Sequence, residues 1–389
     1  MIQEWAHFAL RLFHLIAGIM WIGTSFYFVW LDSSFRPLAE PKEGVEGETY
    51  MVHGGFFYRV EKQLPVAMPP VLHWFKYEAL LTWVSGAFLL GLVYWAGGGL
   101  QLVDYARFPL HPHLAMALSA GVPVGGWLAY DLLWKLVGGR APQAALAISL
   151  ALLLGAIYGL CTVFTGRAAF IHVGALLGTV MIANVWVRIL PNQRRMIAAR
   201  LAGREPDWRQ GRAAKQRSMH NSYMTLPVLA TMVSNHFSFA FDHALNWVLL
   251  AALCAVGAST RHLMITIEKQ QTAWWAFAPA VGGFAALVAL TAPKTIAPDT
   301  SPPVAFADVN DIVARRCRSC HSATPTDDVF RSPPTGLSFD VPDTLKAMAP
   351  RVRLRVVEAR TMPLANKTNM TDEERVVLRR WVDQGARLQ

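Results

Sequence analysis

The sequence predicts an all-α protein in two parts: a polytopic membrane helix bundle with eight transmembrane helices, then a small helical module at the carboxyl end. Three observations carry this. Of 389 residues, 53% are hydrophobic and only 16% charged, with 14 Trp, too apolar for an ordinary soluble chain of this length. Eight mainly apolar stretches precede residue 292, each of about twenty residues or more, the length that crosses a bilayer as a helix. Beyond them, Pro293 to Pro303 reads Pro-Lys-Thr-Ile-Ala-Pro-Asp-Thr-Ser-Pro-Pro, a semi-extended linker between two domains. The expected division is therefore a membrane domain at 1–292, a linker at 293–304 and a module at 305–389.

In chain order the predicted spans are Trp5–Leu31, Phe75–Trp95, Leu114–Val137, Gln143–Phe164, Arg167–Leu190, Met219–Phe239, His243–Ile267 and Thr272–Thr291. The first is too long, and lacks the basic start, for a cleavable signal peptide. Pro123, Pro227 and Pro279 fall within spans, where neighbouring helices satisfy the freed carbonyls. Trp5, Trp30, Trp74, Trp95, Trp134, Trp274 and Trp275 mark span ends as an interfacial belt. Cys161 and Cys254 stand alone in apolar stretches and read as packing residues, and no glycine run resembles a phosphate-binding loop. The net charge of +10 does not indicate nucleic acid, because the cations collect in particular loops rather than on one stripe.

Cys317-Arg318-Ser319-Cys320-His321 is a C-x-x-C-H haem-attachment signature: two thiols on one turn form thioethers to the haem vinyl groups, and His321 ligates the iron. A zinc or redox role is weaker, since no second C-x-x-C occurs. Phe306 to Arg316 reads as a helix leading into the motif, and Thr371-Asp372-Glu373-Glu374 as a capping box opening a final helix through Trp381. This segment resembles small class I cytochromes c, which take a methionine sulfur as sixth ligand. Met362, followed by Pro363 in a loop, is the favoured ligand, with Met370 as runner-up and Met348 as a packing residue.

Haem c is attached on the outer, periplasmic side of a bacterial inner membrane, so the module is expected outside, and an even span count puts the amino terminus there too. The positive-inside rule agrees. The loops assigned to the cytoplasm carry Arg36, Lys42, Arg59, Lys62, Arg140 and Lys269. The fifth adds Arg194, Arg195, Arg200, Arg204, Arg209, Arg212, Lys215 and Arg217. The outer loops show little beyond Arg107 and Arg167.

Ionisable residues inside spans are costly and mark candidate sites. His7, Arg11 and His14 share one face of the first span in its outer half. His172, His236 and His243 lie near the outer ends of spans five, six and seven. A second cofactor is open here, a haem b held by two histidines of different helices. His14, His172 and His236 are its candidate ligands, and interhelical hydrogen bonding is the alternative for each. An inner group comprises His73, Lys76, Glu78, His220, Asn221, Arg261, His262 and Glu268, read either as interfacial pairing or as the mouth of a polar-substrate site. Asn184 and Arg188 share a face near the inner end of span five and suit an anionic, amide-bearing heterocycle, with an interfacial anchor as the alternative for Arg188.

Arg11-Leu12-Phe13-His14-Leu15-Ile16-Ala17-Gly18-Ile19-Met20-Trp21-Ile22-Gly23, with Ser25-Phe26-Tyr27-Phe28-Val29-Trp30-Leu31-Asp32, resembles the bacterial membrane-bound urate oxidases. So does His220-Asn221-Ser222-Tyr223-Met224-Thr225-Leu226-Pro227 with Ser234-Asn235-His236. The resemblance extends over essentially the whole chain. It implies an eight-span domain joined to a cytochrome c, urate as substrate, 5-hydroxyisourate as product, and electrons leaving through haem to a respiratory acceptor such as a terminal oxidase or soluble cytochrome. More weakly, the first span is similar to haem-b families with a ligand histidine before a W-x-G stretch, which favours His14. The resemblance assigns no urate pocket. A general base is needed, with His220, His262 and Glu78 as candidates for an inward-facing site, or Arg11 with an outer histidine for an outward-facing one. Two other classes remain: an electron carrier fed by quinol without urate chemistry, and a transporter with a fused redox sensor.

Overall fold

The computed structural model describes residues 2–64, 69, 71–104, 108–292 and 301–389. Most of the predicted linker, and Arg107, lie outside the described residues. The N-terminal bundle opens with the long helix α1 (Ile2–Ser34). An antiparallel hairpin follows, β1 (Val45–His53) with β2 (Phe56–Gln63). Next come α2 (Tyr77–Leu90), extended by a wider π turn at Gly91–Trp95, then α3 (Pro112–Leu136) and α4 (Pro142–Val163). α5 (Gly166–Ala183) runs through a second π turn at Asn184–Ile189 into α6 (Leu190–Leu201). α7 (Trp208–Val233), the short α8 (Ser238–Phe241), α9 (Asn246–Glu268) and α10 (Gly283–Thr291) complete the bundle.

Among the described residues, seven helical segments are long and apolar enough to cross a membrane by length and composition, the fifth joining α5 to α6 (Gly166–Leu201) and the last running from Trp274 to Thr291 through α10. The predicted sixth span differs. Its helix begins at Trp208 rather than Met219, because Asp207 caps it by accepting from the Arg209 amide (3.0 Å). α7 is not among the seven, because it ends at Val233 and its apolar C-terminal part is short, although it packs along both α5 and α9. The helix also stops at Val233, so His236 sits in a following tight turn rather than inside a span. The hairpin was not anticipated from the loop sequence. It gathers loop cations into ion pairs, Lys42 with Glu61 and Arg59 with Glu48, while Lys62 and Lys215 both reach Asp32.

The buried core follows α5, whose Phe170, Val173, Leu176 and Leu177 pack with Leu102, Phe164 and Leu250. Small residues let the helices close. A Cβ on Gly174 would stand 2.2 Å from Thr231 Oγ1 of α7, and one on Gly257 2.9 Å from the Pro227 nitrogen.

The C-terminal module comprises α11 (Phe306–Arg316), α12 (Pro342–Ala347), α13 (Ala349–Val352) with a π turn at Arg353–Glu358, and α14 (Asp372–Asp383). The first and last pack together as expected, with Phe306 against Trp381, and the capping box of Thr371 and Glu374 is formed. A separate core holds Val309, Ile312, Val313, Leu345, Leu378 and Trp381. The module rests on the end of the bundle formed by the start of α5 and by α8. Arg355 reaches Asp242 at 3.3 Å, and a cavity of about 400 Å³ lies between Val103, Asp104 and Thr165 on one side and the Arg360–Asn366 loop on the other.

Candidate functional site

Towards the opposite end of the bundle, polar side chains of α3, α5 and α7 meet around the hydroxyl of Tyr130. That hydroxyl lies 2.6 Å from His220 Nδ1. Asn184, the first residue of the π turn in α5, donates its amide to Asn221 Oδ1 (2.9 Å) and to the Tyr130 oxygen (3.4 Å). Such a turn breaks the regular helical spacing, which recurs at functional positions. Asn221 in turn donates to the Met181 carbonyl (2.9 Å). The Arg217 guanidinium lies 4.8 Å over the Tyr130 ring and reaches Asp131 at 3.2 Å; Arg188 grips the same carboxylate through Nε at 2.7 Å. Trp134 stacks obliquely on His220, centroids 4.2 Å apart.

Four predicted residues, Asn184, Arg188, His220 and Asn221, are thus brought together. Arg188 serves the network through Asp131 rather than standing as a lone anchor. Two buried polar atoms of the network have no hydrogen-bond partner, Asn184 Oδ1 and Arg217 Nη1, an acceptor and a donor flanking Tyr130. The Tyr130–His220 contact supplies a proton-accepting pair, and Arg217 a positive charge for an anion.

The other inner candidates lie elsewhere. His262 on α9 takes Nδ1 to the Tyr223 hydroxyl (2.8 Å) and packs on Trp275 (4.9 Å). Glu78 Oε2 is buried without a hydrogen-bond partner near the start of α2. Arg11 is exposed on α1 and belongs to no site cluster among the described residues.

The histidines at the module end do not form an open pair. His14 Nδ1 is held by the Thr82 carbonyl (2.9 Å) and Ser85 hydroxyl (3.0 Å) of α2, while its ring stands 3.0 Å from where a Gly86 Cβ would be. His172 is wholly buried and uses both nitrogens, Nδ1 to the Ala168 carbonyl (2.7 Å) and Nε2 to Ser119 Oγ (2.5 Å). Trp95 donates to the same serine (2.9 Å), closing the chain. His236 is exposed at the turn after α7. With His172 engaged at both nitrogens and His236 exposed in a turn, these three residues as arranged do not fit a bis-histidine iron site.

The module does fit a covalent haem c. α11 ends at Arg316, so Cys317 to His321 fold back in tight turns, with the His321 amide donating to the Cys317 carbonyl (2.8 Å). His321 Nδ1 lies 3.0 Å from the Leu337 carbonyl, which fixes the ring and leaves Nε2 for iron. Burial lowers the His321 pKa, favouring the neutral imidazole that ligates. Burial pushes the Cys317 thiol up to about 12 and raises Cys320 as well, the reverse of a redox-active C-x-x-C pair. Met362 packs against the same core as Cys317, and its loop is pinned by Arg375, which donates to the Met362 carbonyl at 2.9 Å. Met370, the runner-up, is buried in that core, and Met348 packs at its edge.

Residues 1–292 match the family described as urate oxidase N-terminal. The chain belongs to that family. Comparison with curated proteins and with solved structures finds no match. Urate oxidase membership points to urate-related oxidation, hence to an oxidoreductase with urate as a consistent substrate. The matched region stops one residue after α10, so it coincides with the helix bundle and the C-terminal module lies beyond it. Sequence reasoning left Tyr130 and Asp131 out and counted Arg217 as a loop cation; all three prove central to the urate oxidase bundle's polar network. The signal was present: Asp131 is a lone carboxylate within a predicted apolar span.

Proposed function

We propose that this chain oxidises urate to 5-hydroxyisourate within its membrane bundle and passes the electrons singly to a haem c on its C-terminal module, for delivery to a respiratory acceptor. The reaction balances as urate monoanion plus water giving 5-hydroxyisourate, one proton and two electrons. One observation carries the reading: a urate oxidase family region of 292 residues is continuous with a module that presents two cysteines, an oriented histidine and a pinned methionine. When bound, haem c supplies a one-electron acceptor outside the substrate site.

The remaining work falls to side chains of the bundle. Arg217 and the Asn184 amide oxygen recognise an anion that also bears N–H groups. His220, with Tyr130 on Nδ1, takes the proton released as water adds. Asp131 holds Arg217 and Arg188 in place. The same reading puts the chain in a bacterial inner membrane with both termini and the module in the periplasm.

The test is anaerobic addition of urate to the purified full chain while the visible spectrum of the haem is followed. Reduction by urate is expected. A spectrum unchanged by urate yet reduced by dithionite would exclude the coupled oxidase, and faster reduction by quinol would favour the electron-carrier alternative.

A further inference from the structure

We infer that the β1–β2 hairpin is a lipid-contact device, its aromatic tip seated at the headgroup–acyl boundary of a bilayer beside α1; this rests on the membrane placement proposed above and not on the substrate. The hairpin folds back along α1 rather than away from it. Arg36, just past that helix, exchanges both backbone hydrogen bonds with Glu48 (2.9 Å each), and the strand then runs antiparallel to the chain it has left. Further along, the Tyr27 hydroxyl donates to Met51 Sδ at 3.7 Å. Tyr27 lies in the final third of the apolar stretch Trp5–Ser34 and packs on Trp30 (5.8 Å), two aromatics of the kind that mark a membrane interface. Two more residues at about 3.3 Å each carry the strand on in the same direction. Gly54 and Gly55, both at positive φ, then close a two-residue turn.

Composition along the hairpin follows that depth. Its base is charged: Lys42 pairs with Glu61, and Lys62 with Asp32 near the end of α1. Its tip is apolar on both faces. The register places Tyr50, Val52 and Phe57 on one side and Met51, Phe56 and Tyr58 on the other. A hairpin lying between protein and water would alternate apolar and polar residues instead. Val52, Phe56 and Phe57 are 66%, 69% and 88% exposed, so the chain itself leaves them open. The sheet has only two strands, and hydrocarbon cannot satisfy its outer N–H and C=O groups, which holds the tip at the boundary. A seated tip also steadies the bundle, since Asp32 binds both Lys62 of the hairpin and Lys215 of α7.

The test places nitroxide labels on the haem-loaded full chain in nanodiscs of phosphatidylcholine and phosphatidylglycerol. In that chain Cys161 and Cys254 are buried, and the proposed haem takes Cys317 and Cys320. Collisions with oxygen, which concentrates in lipid, are compared with collisions with a water-soluble nickel chelate. Ile16→Cys on the exposed face of α1 marks lipid, and Glu43→Cys in the loop before β1 marks water. Phe57→Cys and, separately, Val52→Cys should follow the Ile16 site, with nickel collisions at least about 5-fold below those at Glu43. Tip labels with the Glu43 pattern overturn the assignment. Tip labels shielded from both relaxants, or dipolar broadening between the tips of two chains, overturn it too, because protein would then be the occupant. An Ile16 label that reads as aqueous overturns instead the membrane placement beneath it.

Discussion

Arg375 donates to the carbonyls of Val356 and Met362 from a buried position on α14, so one guanidinium ties the last helix to the methionine loop. Replacing it with Met leaves both carbonyls without that donor, at roughly 1–3 kcal/mol for each buried group left unpaired. The expected outcome of Arg375→Met is a lower thermal midpoint for the module. The haem midpoint potential should fall too, because methionine ligation raises it. Redox titration with thermal unfolding decides it, and an unchanged potential would separate Arg375 from the ligand loop. In the bundle, Asn184→Ala removes the amide that joins Tyr130 and Asn221. Urate turnover should drop at least 10-fold while dithionite still reduces the haem; undiminished turnover would take Asn184 out of the site. At this scale the sequence was legible where a polar residue stood alone in an apolar run, as Asn184 does. It was opaque where a residue had bland neighbours: Arg217 sits two residues from Lys215 and looked like one more loop cation, yet it is buried against Tyr130. For His172 the sequence left two roles open, iron ligand or interhelical hydrogen bond, and the structure places Ser119, distant in sequence, at its Nε2.

Helix ends and helix contacts set the next scale. The capping box of α14 was readable from four residues, because its chemistry is local. Burial acts to raise the Glu374 pKa, but the Thr371 amide and the Arg316 and Arg315 guanidinium groups outweigh it and hold the carboxyl below its ordinary 4.5. A depressed folded value means stability that is present above about 4.5 and lost as pH falls through the folded value. Glu374→Gln should therefore destabilise the module by about 1 kcal/mol at neutral pH, with the difference from wild type shrinking on acidification. Unfolding curves at pH 7 and pH 3.5 test this, and a pH-independent difference would refute it. Helix packing was less legible, because no local pattern says which glycine meets a neighbour. A Gly257 Cβ would meet the Pro227 nitrogen at 2.9 Å and the Leu226 carbonyl carbon at 3.1 Å, backbone that cannot step aside, whereas one on Gly178 meets nothing within 4 Å. Gly257→Ala should cost about 1–3 kcal/mol and Gly178→Ala almost nothing, as thermal unfolding in detergent would show. Equal midpoints for the two variants would mean that α7 and α9 are not closed on that glycine.

At the scale of the whole molecule, the proposed function requires contact between the bundle and the C-terminal module. Composition changes abruptly at the proline-rich segment, which is what suggests two parts in the sequence; their contact has no local signal, because it joins residues more than a hundred positions apart. Arg355 of the module pairs with Asp242 at 3.3 Å, against a carboxylate almost fully buried at the end of the bundle, and lies over Phe241. The Arg355 carbonyl also accepts from the Met362 amide (3.1 Å), which ties the docking residue to the methionine loop. If the proposed function holds, docking through this pair sets the distance that an electron crosses. Arg355→Gln should then slow urate-driven haem reduction about 10-fold in stopped-flow measurements, while reduction by a small soluble reductant keeps its wild-type rate. Asp242→Asn should do the same, and the double variant should lose little more than either single one, since both remove one interaction. Additive losses would mean that the two residues act separately. Wild-type rates in all three variants would place the electron path somewhere other than this contact.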